Sequence, residues 1–154
     1  MLTAHPIIAF VATTDPLRAK AFYAQTLGLR LVREDGFALA FDAGGTMLRV
    51  AIVQTLQPAP YTVLGWIVPD IGNAVQNLQA RGVVFQRYEW MTQDDLGVWS
   101  SPSGARVAWF ADPDGNTLSL TQIDRPRKTR ATPKRRVRRA TAPKGSRARR
   151  RRRR

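Results

Sequence analysis

The feature that most constrains this 154-residue chain is an internal repeat. The stretch PIIAFVATTDPLRAKAFYAQTLGLRLV reads as strand, helix, strand. Asp15 stands at an N-cap with Pro16 at the first helical position, and Gly28 suits the helix C-terminus. Ala19, Phe22, Tyr23 and Leu27 form an apolar stripe at helical spacing. The order returns in YTVLGWIVPDIGNAVQNLQARGVVFQRY, with Asp70 as N-cap, Ile71, Val75 and Leu78 as the stripe, and Gly82 at the C-terminus. Asp15 to Asp70 is 55 residues and Gly28 to Gly82 is 54. A constant offset across several landmarks marks a duplication.

Each copy continues into further strands. LRLVRE, FALAF and TMLRVAIVQ are separated by Asp35-Gly36 and Gly44-Gly45. The second copy closes with ARVAWFADPDGNTLSLTQ, whose Asp112-Pro113-Asp114-Gly115 supplies a fixed φ at proline and a permissive position at glycine. The expected fold class is α+β: two βαβββ modules, about 5–56 and 61–123, forming a curved mixed sheet around a cleft with helices on its outer face. Neither module buries both faces of its sheet alone.

Charge divides the chain as sharply as the repeat does. Residues 1–123 carry a formal charge of −2, and residues 124–154 carry +16. The first part is long enough for one domain with a core. The tail has Val137 as its only large apolar residue, repels itself, and is expected to be disordered. There is no cysteine, which excludes disulfides, thiolate metal sites and a cysteine nucleophile. With neither a basic, apolar leader nor a membrane-length apolar run, the expectation is a soluble cytoplasmic protein without a transmembrane segment.

Strand alternation nominates candidate residues. In TMLRVAIVQ, Leu48, Val50 and Ile52 fit the helix-covered face, leaving Met47, Arg49, Ala51 and Val53 toward the cleft. Arg49 is the one charge in an apolar strand. It grips a carboxylate or phosphate of a ligand, or it pairs with an acid of the same chain, or it lies at an exposed edge. In the last strand Thr117, Ser119 and Thr121 share a face, with Leu118 and Leu120 opposite. EWMTQDDLGVWSSPSG places Trp90, Met91 and Trp99 in a long connection, as a lid or as satellite core, with Trp99 in a possible short strand. The adjacent Asp94 and Asp95 read as a solvated turn. Tyr61 and Tyr88 stand near strand ends, as ligand contacts or rim packing.

The doubled order, with FYAQTLGLRLV after the first turn and WFADPDGNTLSL at the end, closely resembles the vicinal oxygen chelate superfamily of glyoxalases, bleomycin resistance proteins and extradiol dioxygenases. The resemblance covers residues 5–123. It implies the fold above, frequent pairing into homodimers, and, in metal-dependent members, four His, Gln or Glu ligands on the first and last strand of each module. Landmark matching puts those positions at Ile8, Arg49, Val63 and Ser119. None is a usual divalent-metal ligand. A one-residue slip reaches only residues such as Ile7, Leu48, Val50, Leu118 or Leu120. The single histidine, His5, reads as an exposed terminal residue.

The expectation is therefore a metal-free small-molecule binding protein with no cofactor. Its candidate cleft residues are Ile8, Phe10, Met47, Arg49, Val63, Trp99, Ser119 and Thr121, and its ligand is anionic or aromatic. The alternative is a polyanion-associated protein binding nucleic acid non-specifically through Lys134, Arg135, Arg136, Arg138, Arg139, Arg149, Arg150 and Arg151. A metal-dependent lyase or dioxygenase comes third, because the fold hosts those chemistries. One histidine, no cysteine and no G-x-S-x-G leave a hydrolytic triad without support. The glycines of DAGGT lie in a hairpin, where a phosphate-cradling loop would open a helix.

Overall fold

A computed structural model describes residues 1–123. The candidate nucleic-acid residues of the tail, Lys134 to Arg151, lie outside the described residues. After a short 3-10 turn at Leu2–Ala4, the first module runs β1 (Ile8–Thr13), α1 (Pro16–Lys20), β2 (Arg30–Glu34), β3 (Ala38–Ala43) and β4 (Thr46–Ile52). The second runs β5 (Leu64–Ile67), α2 (Ile71–Gln79), β6 (Trp99–Ser100), β7 (Arg106–Ala111) and β8 (Thr117–Gln122).

The strands form two four-stranded mixed sheets, ordered β1-β4-β3-β2 and β5-β8-β7-β6. The orders are identical once the second is renumbered, as a duplicated unit requires. In each sheet the first strand pairs parallel with the last, and the remaining pairs are antiparallel.

The helix starts follow from their caps. The Asp15 carboxylate accepts from the Arg18 N–H at 3.0 Å, and the Asp70 carboxylate accepts from the Asn73 N–H at 3.0 Å. Each satisfies a first-turn donor that has no partner within the helix. Gly28 (φ 75°) and Gly82 (φ 87°) take the left-handed conformation beyond the helical segments. The first helix changes character part-way, because Ala21–Thr26 is π-helical and the Leu27 N–H reaches the Phe22 carbonyl at 2.9 Å.

One strand expected from the sequence is nearly absent. GVVFQRY contributes only an isolated bridge, Phe85 to Phe110, and two-residue β6 takes its place at the sheet edge. The physical reason lies in the next loop. The Gln93 side chain accepts from the Tyr88 N–H (2.8 Å) and donates to the carbonyls of Gln86 (3.1 Å) and Gly97 (2.7 Å). Arg87 donates to the carbonyls of Asp94 and Asp95. Backbone groups that a ladder would satisfy are satisfied by side chains instead.

Alternation sets the core. Val11, Leu39, Phe41, Leu48 and Val50 of the first sheet, and Ala108, Phe110, Leu118 and Leu120 of the second, are buried. With Ala19, Tyr23, Ile71 and Val75 of the helical segments they form one contiguous cluster. The two modules thus share a core, which is how each covers the sheet face it cannot bury alone.

A polar clasp also joins them. The Tyr23 hydroxyl donates to Asp112 at 2.8 Å, and Asn116 Nδ2 donates to the Ala12 carbonyl at 2.9 Å. Asp114 accepts from the Thr13 hydroxyl (2.6 Å), the Thr14 N–H (2.9 Å) and the Thr14 hydroxyl (2.8 Å). Burial, and then the Asp112 carboxylate, push the Tyr23 phenol far above its ordinary range. Burial draws Asp114 upward, but the donors from Thr13 and Thr14, aided by Arg18, outweigh it and hold the carboxyl below its usual value.

Candidate functional site

With one face of each sheet committed to the core, the opposite faces are where a ligand has access. On the first sheet, Ile8 lies opposite Met47, and Phe10 opposite Arg49. All four share the face away from Leu48 and Val50. Ile8, Phe10 and Met47 are 51%, 60% and 42% exposed, a run of apolar surface that normally has a partner. Ala40 and Asp42 extend this face onto β3, opposite Arg49 and Met47.

Arg49 is half-buried in the centre of this surface. Its strand, β4, lies between β1 and β3, so the edge alternative does not apply. Among the described residues the guanidinium has neither a hydrogen bond nor an ion pair within 4.0 Å, whereas Arg18, Lys20, Arg30 and Arg33 each have a carboxylate. Its electrostatic neighbour is Asp35, held below the usual carboxyl range first by the backbone N–H groups of Phe37 and Ala38, and then by Arg33 and Arg49. Arg49 therefore has no hydrogen-bonded partner among the described residues, on a face that also carries the exposed Ile8, Phe10 and Met47.

The second sheet offers a different face. Ser119 lies between Gly65 and Trp109 as cross-strand neighbours, and Thr121 between Ile67 and Val107. Ser119 is buried at 6% exposure, more enclosed than a cleft wall would be. It fits only because residue 65 is glycine: a β-carbon there would collide with the Ser119 hydroxyl. Thr121 is half-buried. Val63 precedes β5 by one residue, donates its N–H to the Thr117 carbonyl at 3.0 Å, and packs partly on the core.

Trp99 stands on this sheet in an aromatic group that sequence reading assembled only in part. Its ring lies 6.1 Å from Trp109, Trp109 lies 5.7 Å from Tyr88 at an interplanar angle of 80°, and Tyr88 lies 5.5 Å from Trp90. Trp109 was not among the expected site residues. Its alternation with core residues Ala108 and Phe110 was the available signal. Asp94 and Asp95 form a turn: Asp94 accepts from the N–H groups of Leu96 and Val98.

Donor chemistry decides whether a metal fits. Ile8, Arg49, Val63 and Ser119 offer no carboxylate, imidazole or amide oxygen. Among the described residues no group of three or more His, Cys, Asp or Glu is arranged to hold an ion. His5 is exposed at the N-terminal end of the fold. The residues present do not fit the metal that this fold carries in its metal-dependent forms. No helix among the described residues is long and apolar enough to cross a membrane.

Comparison with known proteins places the chain. The model for the Glyoxalase/Bleomycin resistance protein/Dioxygenase superfamily matches residues 5–120. A superfamily member from Sphaerobacter thermophilus DSM 20745 is 25% identical, covers 78% of this chain and 99% of its own, and has a TM-score of 0.61. A glyoxalase family protein from Enterococcus faecalis is 21% identical, with 79% and 99% covered and a TM-score of 0.62. A lactoylglutathione lyase from Agrobacterium tumefaciens is 16% identical, with 77% and 93% covered and a TM-score of 0.60. No curated protein matches the chain.

Proposed function

Because this chain belongs to the Glyoxalase/Bleomycin resistance protein/Dioxygenase superfamily, we propose that it is a metal-free member that binds an organic anion on the open face of its first sheet. The carrying observation is Arg49: a half-buried guanidinium, central in an apolar strand, with no hydrogen bond or ion pair among the described residues. A half-buried charge without a hydrogen-bonded protein partner is costly, and a carboxylate or phosphate offsets that cost through paired N–H donors. Phe10, Ile8 and Met47 supply apolar contact around it. The metal-free reading is supported by the donor set at the four matched positions. Ile8, Phe10 and Met47 also suit burial against a second copy, so the working unit in this reading is a homodimer.

The experiment is a titration of the full chain and of Arg49→Met with naphthalene-2-carboxylate and its uncharged alcohol analogue. The basic tail is the same in both proteins, so the difference between them isolates Arg49. Arg49→Met is expected to weaken carboxylate binding by about 10- to 100-fold, as removal of a charged hydrogen bond does. The melting temperature should barely change. Carboxylate affinity unchanged in Arg49→Met, or a large fall in its melting temperature, would make Arg49 structural or irrelevant to binding and overturn the reading.

A second reading rests on charge. The segment 124–154 carries +16 against −2 for residues 1–123, a footprint for non-specific polyanion binding. It is compatible with the first reading.

A further inference from the structure

We propose that the pocket lined by residues 60–62, Tyr88, Trp90, Met91 and Trp109 binds a planar, electron-poor aromatic ring. This goes beyond the anion reading above: it is a second site, away from Arg49, with a different ligand chemistry.

The pocket is open, has a volume of about 300 Å³, and is lined by residues 60–62 together with Tyr88, Trp90, Met91 and Trp109. That volume admits a fused bicyclic ring. No lining residue is charged.

Three features make it a ring site. First, two of the rings have their polar ends engaged: Trp109 Nε1 donates to Thr62 Oγ1 at 3.0 Å, and the Tyr88 hydroxyl donates to Gln86 Oε1 at 2.6 Å. What these two leave for a ligand is ring surface. Second, large aromatic area is presented to solvent, with Trp90 78% and Tyr61 67% exposed. Third, the wall carrying Tyr88 and Trp90 is fixed in advance. Gln93 bonds three backbone groups around it, and Arg87 bonds two carbonyls of the same loop. Preorganised rings lose little freedom on binding. Indole and phenol faces carry negative quadrupole density, which favours electron-poor rings and delocalised cations over anions.

The test is equilibrium dialysis of the full chain with 1-methylquinolinium, against 1,1-dimethylpiperidinium as a cation of equal charge without a flat ring. Both probes are cations, so the basic tail attracts neither. Saturable binding of 1-methylquinolinium, about tenfold tighter than that of dimethylpiperidinium, is expected from ring stacking. Trp90→Ala and Tyr61→Ala, both lining the pocket and both exposed, should each weaken it by about the same factor at unchanged melting temperature. Arg49→Met should leave it unaltered. No saturable binding, equal binding of the two cations, or full affinity in both aromatic variants would overturn the pocket. An affinity that falls as the protein is concentrated into dimers would assign these rings to a second copy and overturn it likewise. Failure here with carboxylate binding still dependent on Arg49 would remove the pocket alone. Loss of the Arg49 effect with the pocket intact would remove the anion reading alone.

Discussion

Ser119 is fixed by what lies opposite it: its hydroxyl is enclosed against a glycine in the neighbouring strand. Gly65→Ala is therefore expected to cost about 1–3 kcal/mol through overpacking, measured by urea denaturation. Adding Ser119→Ala should recover part of that loss: it removes the clash with the hydroxyl and leaves the β-carbon at 3.7 Å, while the Ser119 carbonyl oxygen at 3.2 Å stays a tight contact. Additive costs in the double variant would contradict the arrangement. At this scale much was legible. Strand alternation alone put Leu118 and Leu120 in the core and separated Leu48 and Val50 from Met47 and Arg49. It did not reveal that Ser119 is enclosed, because enclosure depends on which residue of another strand lies opposite.

The elements were legible where local chemistry decides them. Asp15, Asp70, Gly28 and Gly82 act within a few residues of themselves, and both helices begin at the expected caps. The strand expected in GVVFQRY was misread, because Gln93 of the following loop takes over the Tyr88 N–H and the Gln86 carbonyl, and Arg87 of the segment itself ties down the carbonyls of Asp94 and Asp95. The clasp at Asp112 to Asn116 was read as a turn only, since its partners are about 90 to 104 residues away. Asp114 gives it a measurable pH signature. Its folded pKa lies below its unfolded one, so its contribution is present above about pH 4 and is lost as pH falls through the lower folded value. Asp114→Asn is expected to lower the melting temperature at pH 7, with the gap to the unaltered protein closing below about pH 4. A gap that persists in acid would mean that the carboxylate charge plays no part in the clasp.

For the molecule as a whole, the repeat carried the most information. A 55-residue offset foretold two modules of one topology, and the sheets have matching strand orders. The aromatic group on the second sheet was harder to foresee, because Tyr88, Trp90, Trp99 and Trp109 come together only through the register of β6 on β7 and the fold of one loop. The charge asymmetry predicts a separate behaviour. DNA affinity of the full chain should fall steeply between low and moderate salt, and residues 1–123 alone should lose nearly all of it. Equal binding by the shorter chain would contradict the tail reading.

The central claim is that the ligand is held by side chains of this chain without a metal. The most direct measurement is metal content by elemental mass spectrometry on protein purified without chelator, joined to naphthalene-2-carboxylate titration before and after EDTA. The account predicts no stoichiometric metal and the same affinity in both titrations. A stoichiometric divalent ion whose removal abolishes binding would contradict it.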